Sequence, residues 1–195
     1  MSAGKILLNG RDITRAAPAE RIHAGLSYIP EERMREGAIK EFSVADNFVL
    51  IDHCEPQYAR GVFLNFKTIQ AQTRKMVDAF SVKTPSLETP LKNLSGGNIQ
   101  KLILARELAR KPHVLIAAQP TRGVDIGASE YIHLRLLEQR QAGTGTLLIS
   151  EDLDEIRALS DRIAVIYEGK IMGIVDSAQA TLEQLGLMMA GVTRG

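Results

Sequence analysis

Apolar and polar positions along the chain fall into blocks that predict strands and helices in turn. Short apolar runs over 5–9, 26–29, 114–117 and 146–150 predict strands; those at 114–117 and 146–150 lack polar alternation, as in strands buried on both faces of a parallel sheet. Apolar residues at helical spacing predict helices over 18–24, 95–111, 128–141, 152–159 and 182–190. Stretches 162–167 and 170–175, joined by Glu168-Gly169, predict an antiparallel hairpin. Between 43 and 94 the rhythm changes. Val44, Asn47, Phe48 and Leu50 suggest a short helix and 66–80 a longer amphipathic one, with no convincing strand and with Pro85 and Pro90 near the end. The expected architecture is an α/β core formed by 1–42 and 95–195, with a helical subdomain at 43–94 inserted into it.

The most informative stretch is 93–125. Ser95 and Asn98 are capping residue types, and Gly96-Gly97 let backbone N–H groups approach a ligand without hindrance from a Cβ. A helix opening there presents free N–H donors and the positive end of its dipole to an anion. The run at 114–117 then changes abruptly to Gln119-Pro120-Thr121, as a buried strand does where its loop carries chemistry.

Composition changes this picture little. A hydrophobic share of 45% and a charged share of 24% are those of an ordinary globular protein, and a formal charge of +1 creates no global field to attract nucleic acid or anionic lipid, so charge alone suggests neither and no nucleic-acid partner is expected. Cys54 is the single cysteine, which excludes a disulfide framework and fits a reducing compartment. No segment approaches the roughly 18 apolar residues of a membrane span, so any membrane link is expected to run through a partner.

Leu94-Ser95-Gly96-Gly97, followed by the apolar run and by Pro120-Thr121-Arg122-Gly123-Val124-Asp125, resembles the nucleotide-binding domain of ABC transporters. The signature, the strand, an Asp-loop at Asp125 and a further strand ending Ile149-Ser150-Glu151-Asp152 occur in that family's order over nearly the whole chain. Tyr28-Ile29-Pro30-Glu31-Glu32-Arg33 and Leu159-Ser160-Asp161-Arg162-Ile163 look like the second cassette of fused tandem ATPases that import sugars and nucleosides, and Ala117-Ala118-Gln119 tilts the likeness toward nucleosides. The implied fold is a P-loop NTPase-like core with an inserted helical subdomain.

The departures from that family are specific. No G-x-x-x-x-G-K-[ST] phosphate loop occurs; Gly4-Lys5 and Gly169-Lys170 are each followed by Ile, so neither can serve. The chain is therefore expected to be an N-terminally truncated cassette without its first strand, phosphate loop and first helix. By the resemblance, Ala118 stands where an Asp holds Mg²⁺ through water, Gln119 where the general base would be, Glu151 where a His would meet the γ-phosphate, and Glu31 at the Gln-loop position. Losing a base alone costs a factor of about 10² to 10⁴ in rate, so the family's transport-coupled ATP hydrolysis is not expected from this chain alone. No metal ligand is expected in it.

What the resemblance leaves intact works in trans. Leu94, Ser95, Gly96, Gly97, Asn98 and Asp125 are expected to face ATP held by a second nucleotide-binding domain with a complete phosphate loop, and Mg²⁺ would come only with that partner. Transmembrane permease subunits are the other implied partners, placing the chain in the cytoplasm, peripheral on the inner face of the cell membrane. The alternative is a non-catalytic interaction module or gene fragment that docks on a permease without binding nucleotide. Head domains of chromosome-maintenance ATPases share such a signature, but nothing here resembles their coiled coils.

Plainer readings stand beside these. Ser-Gly-Gly before a helix is by itself only a good cap. His23, His53, His113 and His133 lack metal-ligand spacing, Arg33 and Arg35 read as a solvated charged loop, and Met188-Met189 reads as packing of the last helix. The missing first strand is expected to leave 114–117 as an apolar edge prone to self-association.

Overall fold

A computed structural model describes residues 4–192 of the 195. It contains two compact units, the first ending at Leu147 and the second starting at Leu148.

In the first unit, β1 (Leu7–Leu8) and β2 (Arg11–Asp12) form a small hairpin ahead of α1 (Pro18–His23). Pro18 starts α1 with its φ already helical, and Glu20 Oε2 accepts from the Ala17 amide at 2.7 Å. Gly25 follows the helix at φ +96°, where a Cβ would lie 2.5 Å from the His113 ring, so only glycine fits the turn into β3 (Leu26–Ile29). A five-residue π turn, Arg33–Gly37, follows β3. Next come α2 (Val44–Val49), the hairpin β4 (Ala59–Arg60) and β5 (Phe63–Leu64), and α3 (Phe66–Ala79).

The stretch 43–94 thus holds the expected short and longer helices, α2 and α3, together with a hairpin that hydrophobic patterning does not reveal. Two-residue strands are too short to show a period of two.

A 3₁₀ turn, Leu91–Asn93, leads into α4 (Gly96–Ala109), the centre of the unit. Ile99, Leu102, Ile103, Leu104, Ala105 and Leu108 cover most of its circumference and are all buried, because β3, α2, α3 and α5 pack around it. A helix apolar on nearly every side is stable only when enclosed, and each fully buried Leu or Ile stabilises it by about 1.5–3 kcal/mol. Two ionic side chains join this core. Arg106 Nε donates to Glu107 Oε1 at 3.0 Å with the side chains 5% and 2% exposed, and Arg106 Nη1 reaches the Asn47 carbonyl at 3.3 Å. Asn47, itself buried, spends Nδ2 on the carbonyls of Ile39, Phe42 and Ser43 and accepts the Ile39 amide on Oδ1, so it organises the chain before α2.

β6 (Val114–Ala118) runs parallel to β3, with Leu26 opposite Val114 and Ile29 opposite Ala117. α5 (Ile126–Gln141) follows, then β7 (Gly145–Ile149), and the sheet order is β3-β6-β7. Two sequence expectations fail here. The run at 114–117 is the central strand and not an edge, since β7 occupies its second flank. β7 is expected to be buried on both faces, yet Leu147 and Ile149, two apart and so on one face of this outer strand, are 55% and 50% exposed, because little packs over that face.

The second unit holds α6 (Leu153–Leu159), the antiparallel pair β8 (Arg162–Tyr167) and β9 (Lys170–Asp176), and α7 (Leu182–Met189). Asp152 caps α6 by accepting the amides of Asp154 and Glu155. Its small core is Ile163, Val165, Ala180 and Leu185, with Met188 packed against it, whereas Met189 is 46% exposed.

Candidate functional site

The site is assembled by three loops that meet at the start of α4. Ser95, in an extended conformation, caps the helix: its Oγ accepts the Asn98 amide at 3.4 Å and Asn98 Nδ2 at 2.9 Å. Asn98 Oδ1 accepts the Lys83 amide at 2.7 Å, so this side chain ties the helix start to the preceding loop. Leu94 is buried beneath, at the end of the 3₁₀ turn. The amides of Gly96 and Gly97 belong to the first turn and have no intrahelical acceptor, so with the dipole they form a place for an anion.

Each glycine packs against a different neighbour. A Cβ on Gly97 would lie 2.9 Å from Ala128 Cβ and 3.2 Å from Asp125 Oδ2, so Gly97 lets α4 close on the start of α5. A Cβ on Gly96 would meet the Gly123 carbonyl oxygen at 3.3 Å. Asp125 is exposed and caps α5, accepting the Ala128 amide on Oδ1 at 2.9 Å.

The loop after β6 is held from two sides. Gln100 Nε2, buried, donates to the Pro120 carbonyl at 2.7 Å. Arg33 Nη2 donates to the carbonyls of Arg122 at 2.7 Å and Gly123 at 3.0 Å, and the Arg122 guanidinium pairs with the Glu31 carboxylate. Burial pushes the Arg33 guanidinium below its ordinary pKa, which nearby Glu32 partly opposes; it remains a cation at neutral pH.

The sequence-predicted residues divide accordingly. Ser95, Gly96, Gly97, Asn98 and Asp125 come together, and Glu31 joins them through Arg122. Ala118 is buried at the end of β6, and Gln119 follows at φ +47°, a left-handed conformation that a residue with a Cβ adopts only under local constraint. Glu151 is exposed in the second unit, ahead of α6. Sequence reasoning missed Arg33, Gln100 and Arg122. Arg33 reads as one charge in a run of charges, and only the folded chain shows that it spans to 122–123.

At the end of β6 Ala118 carries no side-chain oxygen and Gln119 a neutral amide, and among the described residues no three His, Cys, Asp or Glu side chains could together hold a metal ion.

β6, central in its sheet and parallel to β3, thus ends in a loop held against a capped, glycine-opened helix start. The ABC transporter family matches residues 1–122, and the chain belongs to that family. It is 45% identical over 193 residues to the glucose import ATP-binding protein TsgD13 of Haloferax volcanii, a match covering 98% of this chain and 35% of that protein. It is 42% identical to the guanosine import ATP-binding protein NupO of Bacillus subtilis and 41% to the nucleoside import ATP-binding protein NupA of Lactococcus lactis, covering 98% of this chain and 38% of each. The chain thus spans little more than a third of the length of these relatives. A nucleotide-free ATP-binding cassette from an ABC transporter superposes with a TM-score of 0.75 at 20% identity, over 99% of this chain and 78% of that one. A dimeric cassette bound to ADP and Pi superposes with a TM-score of 0.70 at 16% identity, over 90% and 74%. These likenesses establish the cassette fold.

Proposed function

We propose that this chain is part of the ATP-binding component of an importer for sugars or nucleosides, and that it acts as the non-hydrolysing member of a pair of cassettes. Ser95, Gly96 and Gly97 close over the γ-phosphate of ATP held by a second domain that has a complete phosphate loop, with Asn98 and Asp125 at the same interface. Mg²⁺ comes with that partner. The reading is supported by one contrast within the chain: the α4 start is capped and backed by fixed loops, while β6 ends in Ala118-Gln119, which can neither hold a metal nor take a proton from water. The names of the relatives, which import glucose, guanosine and nucleosides, support the substrate class. The dimeric form of a cassette of the same fold supports pairing.

In this reading the core is 1–42 and 95–195, and the 43–94 subdomain docks on permease subunits at the inner face of the cell membrane. No helix among the described residues is long and apolar enough to cross a membrane, so the chain's place there depends on contacts rather than on a span. Glu31 and Glu151, at the positions of the Gln loop and the γ-phosphate His, take no part in hydrolysis.

Calorimetry on the isolated chain tests the inactive half: Mg-ATP is expected to give negligible heat, and sub-micromolar binding would overturn it. Size-exclusion chromatography with a cassette that has an intact phosphate loop tests the active half: comigration is expected only with ATP.

A further inference from the structure

The β4–β5 hairpin presents an apolar tip to solvent. Val62 is 91% exposed, more than any other large apolar side chain among the described residues, and Phe63 and Phe66 are 78% and 63% exposed. The tip is held in place rather than loose. Ala59 pairs with Leu64 and Arg60 with Phe63, leaving Gly61-Val62 as a two-residue turn with φ +62° at Gly61. The Asn65 amide continues the ladder to the carbonyl of buried Tyr58 at 2.8 Å, and Asn65 Oδ1 then caps α3. A fixed apolar tip on the surface marks a contact with something outside the chain.

The charges around it say what that is. The whole chain is nearly neutral, but 56–75 contains no Asp or Glu and carries Arg60, Lys67, Arg74 and Lys75, all exposed. Of the acids bordering this stretch, Glu55 meets His23 at 3.2 Å and Glu88 accepts from Gln70 at 3.3 Å, while Asp78 lies one turn beyond Arg74 at the end of α3 away from the hairpin, so Arg60 and Lys67 are the cations beside the tip. An apolar tip between basic side chains matches an anionic lipid surface, where acyl chains take the tip and phosphates take the cations. We propose that the β4–β5 hairpin inserts Val62 and Phe63 into the headgroup region of an anionic bilayer, with Arg60 and Lys67 on lipid phosphates. The hairpin lies within the 43–94 subdomain assigned above to permease docking, and the lipid contact goes beyond that assignment, since it is local and needs neither nucleotide, a second cassette nor a permease.

The chain has no tryptophan, so Phe63→Trp installs a single reporter. With the 195-residue chain and no nucleotide, vesicles of mixed phosphatidylglycerol and phosphatidylcholine are expected to shift its emission to the blue and to sediment the unsubstituted chain. Arg60→Gln with Lys67→Gln is expected to lower partitioning about 25-fold, roughly fivefold for each cation removed, and Val62→Ser with Phe63→Ser at least about tenfold. Circular dichroism identical to that of the parent shows that these exposed substitutions leave the fold intact. Equal binding to pure phosphatidylcholine vesicles overturns the proposal. So does a concentration-dependent shift in buffer alone, which assigns the tip to a second copy, or no shift with either vesicle, which leaves it to a protein partner.

Discussion

Arg33 Nη2 donates to the carbonyl oxygens of both Arg122 and Gly123, at 2.7 and 3.0 Å, so the loop after β3 and the loop after β6 are fixed to one another beside the α4 start. Hydrogen bonds from a charged donor to carbonyls contribute more than neutral ones, though partial exposure reduces their worth here. Arg33→Ala is expected to cost about 1 kcal/mol and lower Tm by about 2–4 °C. Hydrogen exchange should quicken at the amides of 122–125 while those inside α4 stay protected. Unchanged exchange at 122–125 would show that Arg33 does not hold the loop.

Gly97 and Gly186 are both helical glycines in opposite surroundings. Gly97→Ala brings a Cβ to 2.9 Å from Ala128, whereas a Cβ on Gly186 meets nothing within 4 Å. The first substitution is expected to destabilise by about 1–3 kcal/mol through overpacking, and the second to stabilise by about 0.5–1 kcal/mol through helix propensity. Thermal melts of the two variants check the difference in sign.

The Arg106–Glu107 pair lies in the core, so removing one partner strands the other charge. Arg106→Met is expected to cost about 3–5 kcal/mol in urea unfolding. Adding Glu107→Gln to that variant should restore part of the loss, because the stranded charge is then gone.

His23 has its pKa raised above 6.5, first by the Ala19 carbonyl on Nδ1 at 2.6 Å and then by Glu55 on Nε2. A raised folded value means that the contribution is full below the unfolded value and fades as pH climbs through the folded one. Tm of the parent should therefore exceed that of His23→Gln at about pH 5.5, and the two should converge by about pH 8.5. Convergence at low pH instead would reverse the sign.

Much of the fold was legible in the pattern of residues. α3, α4, α6, α7 and the β8–β9 pair fall where apolar spacing and caps placed them, because each carries several periods of its own signal. β4–β5 escaped because its strands are two residues long. The exposure of β7 escaped because an apolar run states what a strand tolerates and not how many neighbours it has. The start of α4 at Ser95, Gly96 and Gly97 was legible as a helix opening, since a cap and two glycines are local chemistry. The roles of Arg33 and Gln100 and the left-handed backbone at Gln119 were not, because they lie in contacts 20 to 90 residues away or in a backbone angle.

The central claim is that the α4 start closes on a partner's ATP. Gly96→Glu places bulk and negative charge where a phosphate would sit, against the Gly123 carbonyl and the Arg33 guanidinium. The decisive measurement is ATP-dependent association of parent and variant with a cassette carrying an intact phosphate loop, by analytical ultracentrifugation. The account predicts that the parent pairs only with ATP and that Gly96→Glu, though folded, does not pair at all. Equal pairing of the two chains would contradict it.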